Sequence, residues 1–157
     1  MILAHEEITP GQGHSTGRAL LARLYQQHTG KPMPPIACTA LGKPYFTEGD
    51  LHFSIAHTPH HVFCALSNKP LGIDAEELTR QLKPQLAEKL LSPAEYAQYA
   101  TAPDKNRALL TFWVLKEAAG KLTGKGLQLW PNHTFFSLDD PRVTETCGCL
   151  LAVMEDE

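Results

Sequence analysis

The sequence predicts an α+β fold of two similar halves, residues 1–70 and 71–157, packed side by side with a cleft between them. Three observations predict it. Helical apolar spacing occurs once early and again in the second half. Short β-like stretches come in pairs. Each half runs from a helix through a Gly-Lys loop to paired strands, with Leu41-Gly42-Lys43 in the first and Gly124-Lys125-Gly126 in the second.

The first helix is expected over Ser15–His28, where Leu20, Leu21 and Leu24 form the apolar face. Ser15 is a candidate cap and Gly30 a stop. Lys31 to Ile36 contains three prolines and reads as a loop. Strands are expected over Leu51–Ala56 and Val62–Leu66, joined by His57-Thr58-Pro59-His60-His61. Another follows the turn Ser67-Asn68-Lys69-Pro70, over Leu71–Glu76. Pro84 suits the first turn of a helix reaching Leu91. Ser92-Pro93-Ala94-Glu95 has the pattern of a capping box. A longer helix is expected from near Asp104 to Leu122, with Leu109, Phe112, Leu115, Ala119 and Leu122 at steps of three and four and Gly124 ending it. The last strands are expected over Leu127–Trp130, Thr134–Leu138 and Cys149–Met154.

Of the 157 residues, 43% are hydrophobic and 20% charged, which fits a soluble globular chain. A net charge of -3 argues against a strongly basic nucleic-acid surface. No apolar run approaches the roughly 20 residues of a membrane helix. The start, MILAHEEITP, lacks the pattern of a secretion signal. Cys38, Cys64, Cys147 and Cys149 have no C-x-x-C spacing, so reduced thiols in a cytoplasmic protein are expected.

Two stretches carry candidate chemistry. In Leu71-Gly72-Ile73-Asp74-Ala75-Glu76, strand alternation puts Asp74 and Glu76 on one face. Adjacent carboxylates repel unless a cation or proton lies between them. Oxygen donors suit a hard ion such as Mg²⁺. Solvated acids at a strand end are the plain alternative. In Trp113-Val114-Leu115-Lys116-Glu117-Ala118-Ala119-Gly120-Lys121, Glu117 and Lys121 share a helix face one turn beyond Trp113. An ordinary surface ion pair beside a core tryptophan is the alternative there.

Taken together these stretches resemble the 4′-phosphopantetheinyl transferases of the surfactin-synthetase-activating type. Gly72-Ile73-Asp74-Ala75-Glu76 matches that family's G-[IV]-D-x-E. Trp113, Lys116, Glu117 and Lys121 match its W-x-x-K-E-x-x-x-K, with Lys116 42 positions after Asp74. Gly42-Lys43-Pro44, Phe53-Ser54-Ile55-Ala56-His57-Thr58 and Gly124-Lys125-Gly126-Leu127 resemble its flanking motifs. Ala56 stands where that family usually has serine, which implies a missing hydroxyl contact to coenzyme A, and Ser54 stands where asparagine is common. The chain is also short for this type.

The resemblance implies a pseudo-dimeric fold and transfer of phosphopantetheine from coenzyme A to a serine of an acyl or peptidyl carrier protein, as a holo-acyl-carrier-protein synthase does. It implies Mg²⁺ or Mn²⁺ held by Asp74, Glu76 and Glu117, with Glu117 as general base and Lys121 at the pyrophosphate. His57, with Lys43, Pro44, Ser54, Thr58, Lys116 and Lys121, is implied in binding or reacting coenzyme A. Lys116 is out of helical phase with Glu117, so solvent is its alternative. Glu95 is a further candidate for the metal, with its cap role as the alternative. His14, Arg18 and Arg23 are candidates for the 3′-phosphate. Lys83, Lys89, Lys105 and Arg107 are candidates for an acidic carrier. A monomer binding neither nucleic acid nor membrane is expected. The rival readings are a metal-dependent phosphohydrolase, a metal site of His57, His60 and His61, and a coenzyme A-binding module without turnover.

Overall fold

A computed structural model gives the fold and describes residues 1–129 and 135–157. The first half holds β1 (Ile2–Glu7), α1 (Gly13–Thr29), β2 (Ile36–Cys38), β3 (Pro44–Phe46), β4 (His52–His57) and β5 (His61–Ser67). The second holds β6 (Leu71–Glu77), α2 (Leu86–Leu90), α3 (Pro93–Thr101), α4 (Lys105–Thr123), β7 (Val143–Thr146) and β8 (Cys149–Glu155). Mixed helices and small antiparallel sheets make this an α+β fold. One sheet has the order β1-β5-β4, the other β6-β8-β7, and β2 with β3 forms a separate hairpin.

Strand alternation sorts the side chains into layers. Val62, Cys64 and Leu66 of β5 face α1, where they meet Leu20, Leu21, Leu24 and Tyr25. Phe63 and Ala65 turn the other way, into a layer shared with Leu71, Ile73 and Ala75 of β6 and Cys149 and Leu151 of β8. Leu150, Ala152 and Met154 face α4 and its core of Leu109, Phe112, Val114 and Leu115. Each three-stranded sheet thus carries one long helix outside and contributes to one apolar layer inside. Ala56 lies in that inner layer, 2% exposed, its methyl packed against apolar neighbours.

The helix ends follow their caps. Gly30 and Gly124 close α1 and α4 in the left-handed region, at φ 72° and 74°. Ser92 and Glu95 form a complete capping box on α3, and Asp104 caps α4. Ser15 does not cap α1: the helix starts two residues earlier, at Gly13, behind Gln12, whose side chain makes no capping bond. Gly13 is held there because its Cα faces the His57 ring, which a Cβ would meet at 2.4 Å.

Further sequence expectations change. Ile2–Glu7 is a strand, paired with β5 from Ile2↔Leu66 to Glu7↔His61. Residues 127–129 and 135–138 are not strands, and the remaining parts of those expected strands, Trp130 and Thr134, fall outside the described residues. The partner of β8 is Val143–Thr146, across a tight turn at Cys147 (φ 54°) and Gly148 (φ 73°).

Candidate active site

The edge strands β4 and β6 run beside each other, and α4 crosses β6. At β6 the small residue comes first. Gly72 lets the backbone of α4 approach, and Asp74 and Glu76 follow on the same face, opposite Trp113, Glu117 and Lys121. The two sequence stretches therefore meet.

Lys121 Nζ donates to Asp74 Oδ1 at 2.9 Å and to the Ile55 carbonyl at 3.3 Å, linking α4, β6 and β4. Asp74 Oδ2 is buried without a hydrogen-bond partner, the only such side-chain oxygen or nitrogen among the described residues. Glu76 Oε1 accepts the Trp113 indole N–H at 3.1 Å and an ion pair from Arg80. Burial pushes the carboxyls of Asp74, Glu76 and Glu117 above their ordinary values. The negative charge of Asp74 raises the other two further, which places all three within electrostatic reach. Lys121 opposes the rise at Asp74 and Glu117, and Arg80 opposes it at all three. Among the described residues no three His, Cys, Asp or Glu side chains already form a ready-made ligand set. Glu76 is turned instead towards Arg80 and Trp113.

Beside the acids opens a half-open cavity of about 460 Å³. Its lining includes His14 and Arg18 of α1, Lys43 and Pro44 of the β2–β3 hairpin, Ser54 and His57 of β4, and Glu117 and Lys121. Five basic or imidazole side chains thus surround a space with one carboxylate among its lining groups, an arrangement suited to an anion. Lys43 Nζ donates to the Leu122 carbonyl at 2.6 Å, at the C-terminal end of α4. Ser54 Oγ lies in the wall and accepts the Ile73 N–H at 3.0 Å, joining β4 to β6.

Four candidates lie elsewhere. Lys116 is not at the cavity. Its Nζ is paired with Glu95 at 2.9 Å, both side chains 1% exposed, on the face of α4 that packs against α3. A 100° step per residue carries Lys116 off the face that holds Glu117. Glu95 accepts the N–H groups of Ser92 and Phe136 as well, so it is cap and counter-ion. Burial would raise its carboxyl, but these donors hold it below the ordinary value. Thr58 is also turned away, giving its hydroxyl to Glu77 at 2.8 Å and receiving the N–H of His60 and His61. Arg23 is paired with Glu6.

The three loop histidines point three ways. His57 lines the cavity, His60 Nδ1 lies 3.0 Å from Glu77, and His61 Nδ1 lies 2.9 Å from His5 Nε2. A shared metal site for them is therefore absent among the described residues. Of the carrier candidates, Lys83 and Lys89 are exposed, while Arg107 pairs with Glu145 at 2.8 Å and Lys105 caps the Ala100 carbonyl at 2.6 Å. Arg80 is the member of the acidic cluster that sequence reading missed. Its signal was only a lone cation four residues after Glu76, in a stretch without helical periodicity.

Such a fold and cleft define a two-sheet α+β protein with acids and lysines opposed across the seam of its sheets. Comparison with known proteins gives the family. The model of the 4′-phosphopantetheinyl transferase superfamily matches residues 70–151, more than half the chain. The chain is 34% identical over 116 residues to the 4′-phosphopantetheinyl transferase Sfp of Bacillus subtilis strain 168, covering 71% of this chain and 50% of that protein. It is 38% identical over 94 residues to another 4′-phosphopantetheinyl transferase of Bacillus subtilis, covering 56% of this chain and 40% of that one. To the 4′-phosphopantetheinyl transferase HetI of Nostoc it is 35% identical over 95 residues, covering 55% and 40%. The chain belongs to the 4′-phosphopantetheinyl transferase superfamily, and it spans about half the length or less of these curated relatives.

Proposed function

We propose that this chain transfers the 4′-phosphopantetheine arm of coenzyme A to a serine hydroxyl of an acyl or peptidyl carrier protein, releasing 3′,5′-ADP. The observation that carries the reading is Asp74. A buried carboxylate with one oxygen on Lys121 and the other unpartnered stands at the edge of a basic cavity. A buried oxygen without a partner is costly unless something else binds it. That orphaned oxygen, in an all-carboxylate donor set, fits a hard divalent cation.

Asp74, Glu76 and Glu117 would hold Mg²⁺ or Mn²⁺. Bound there, the ion would polarise a phosphoryl oxygen and neutralise charge. The protein's own groups do the rest. Arg18, His14, Lys43 and His57 bind the phosphates of coenzyme A from the cavity wall. Ser54 and Pro44 shape that wall. Glu117, its carboxyl raised by burial and by Asp74, accepts the proton of the attacking serine. The serine oxygen forms the new bond to phosphorus, the bond to the bridging pyrophosphate oxygen breaks, and 3′,5′-ADP takes the electron pair. Lys121 supplies fixed positive charge beside that leaving group.

Residues 1–70 and 71–157 act as the two walls of the cleft, as pseudo-repeats of one α+β unit. Lys83 and Lys89, exposed between the two motifs, offer positive charge to an acidic carrier. The protein works as a cytoplasmic monomer, touching neither nucleic acid nor membrane. Among the described residues no helix is long and apolar enough to cross a membrane.

The test is mass spectrometry of purified apo-carrier proteins incubated with the protein, coenzyme A and Mg²⁺. The expected gain is one phosphopantetheine per carrier, lost in Asp74→Ala and Glu117→Ala. Unmodified carriers across acyl and peptidyl types, with a folded protein, would overturn the reading. So would full transfer by either variant, for the roles given to those residues.

A further inference from the structure

We propose that Arg80 is the resident counter-charge of the acidic cluster and the gate to its cation: its guanidinium holds Glu76 in the metal-free protein and must swing out before a divalent ion binds. The inference rests on the reading of Asp74, Glu76 and Glu117 as the groups that hold the ion.

The geometry supports a movable arm on a fixed base. The Arg80 N–H donates to the Glu77 carbonyl at 2.9 Å, closing the turn after β6. Its carbonyl accepts Asn106 Nδ2 at 2.8 Å, and Asn106 Oδ1 accepts the Leu82 N–H at 3.0 Å. The backbone at Arg80 is thereby tied to α4. Among the described residues, the side chain is tied by Glu76 and by stacking over Trp113, with the guanidinium carbon 5.4 Å from the ring centroid. Arg80 is 44% exposed and Glu76 14%, so the cation has water to move into while the acid does not.

Occupancy is competitive for a simple reason. Arg80 and the Trp113 N–H both load Glu76 Oε1. A guanidinium and a divalent ion on one carboxylate repel, and each gains by excluding the other. The charge of Arg80 also reaches Asp74 and Glu117, behind that of Lys121, so its departure removes positive charge from all three acids while Lys121 keeps its bond to Asp74. Metal binding then costs the expulsion of Arg80, and apparent affinity is the intrinsic affinity multiplied by the fraction of molecules with the arm already out.

The experiment compares Mn²⁺ binding to wild type and Arg80→Gln, followed by electron paramagnetic resonance of free Mn²⁺, with and without coenzyme A. Arg80→Gln should bind Mn²⁺ about tenfold more tightly without coenzyme A. Arg80→Lys keeps the charge but loses the planar stacking, and should fall between the two. It also serves if the glutamine variant does not fold. Mg²⁺ added to wild type should shift Trp113 fluorescence towards the spectrum of metal-free Arg80→Gln, and a Trp113→Phe variant should lose that shift. Equal or weaker Mn²⁺ binding by a folded Arg80→Gln protein overturns the gate and leaves the metal reading intact. No Mn²⁺ binding by any variant at millimolar concentration, with or without coenzyme A, removes the metal reading and the gate with it.

Discussion

Gly72 of β6 lies against the Ala118 carbonyl of α4 so closely that a Cβ would come within 2.2 Å of that oxygen, and within 2.3 Å of the Leu122 nitrogen. Both contacts are to backbone, so neither can be relieved by a rotamer change. Asp74 is the next residue on that face of β6, and Glu117 precedes Ala118. The backbone approach therefore sets how near the carboxylates come. Gly72→Ala is expected to cost at least about 1–3 kcal/mol through overpacking. It should also weaken divalent-ion binding, because helix and strand must part. Urea denaturation and Mn²⁺ titration check this, and unchanged values in both would show that the seam yields without consequence.

Lys116 and Glu95 make a buried pair that the transferase motif alone misplaces. With both side chains 1% exposed, removing one breaks a buried ion pair. Lys116→Met is expected to destabilise by about 3–5 kcal/mol. The double variant Glu95→Gln/Lys116→Met should recover part of that loss, since no uncompensated charge remains and the glutamine side chain keeps part of the capping interaction. Coenzyme A affinity of the folded fraction should stay at the wild-type level. A large loss of that affinity with little change in urea midpoint would restore Lys116 to the cavity.

What could be read ahead of the structure divides along physical lines. The helix ends were legible where a cap residue carries its own geometry, as at Gly30, Ser92, Asp104 and Gly124. Two periods put Asp74 with Glu76 on one strand face and Glu117 with Lys121 on one helix face, and only the family resemblance implied that the two faces meet. Phase also separated Lys116 from Glu117, but it could not tell solvent from core. That depended on α3 and Phe136 closing over Lys116, a tertiary matter. Strand β1 is hidden in the sequence because Ile2–Glu7 depends for its pairing on β5, some sixty positions away. Strand β7 was missed because Val-Thr-Glu-Thr is short and depends on β8 for its pairing. Arg80 was hidden because its partners, Glu76 and Trp113, are united only by the crossing of β6 and α4.

The acidic cluster should make stability depend on pH in a definite direction. Asp74, Glu76 and Glu117 have carboxyls raised in the folded state, first by burial, above ordinary values of 3.8 and 4.5. In that window the folded form binds more protons than the unfolded chain, so these groups lose stabilising effect as pH rises through it. Glu95 and Asp140, held low, act in the opposite sense, so the difference between variants is the useful quantity. Glu117→Gln should flatten the decline relative to wild type as pH rises above the ordinary carboxyl value of 4.5. Mg²⁺ should restore stability to wild type at the upper end, by about 2.7 kcal/mol at a hundred times its Kd. Chemical denaturation across pH, with and without Mg²⁺, reads both effects. Equal pH slopes for wild type and Glu117→Gln would separate that carboxyl from the cluster.

Lys43 and Lys121 both line the cavity but should fail differently when neutralised. Lys43 sits on the Leu122 carbonyl at the negative end of α4, its ammonium weakened by burial and supported by Asp156. A phosphate entering the cavity offers it a stronger partner than a carbonyl oxygen. Lys43→Met should therefore raise the Kd for coenzyme A about tenfold or more, in line with about 1.5–3 kcal/mol for a charge-assisted hydrogen bond. Its effect on stability should stay under about 1 kcal/mol, because the side chain is only partly buried. Lys121 is tied to Asp74 and Ile55, next to the groups proposed to react. Lys121→Met should lower kcat by a factor of about 100 or more, as loss of a preorganised charge does, with a smaller change in KM. Steady-state transfer to a carrier, combined with calorimetry of coenzyme A binding, distinguishes them. A Lys43→Met protein that loses kcat at saturating coenzyme A and keeps its Kd would move Lys43 from binding the phosphates to assisting the reaction itself.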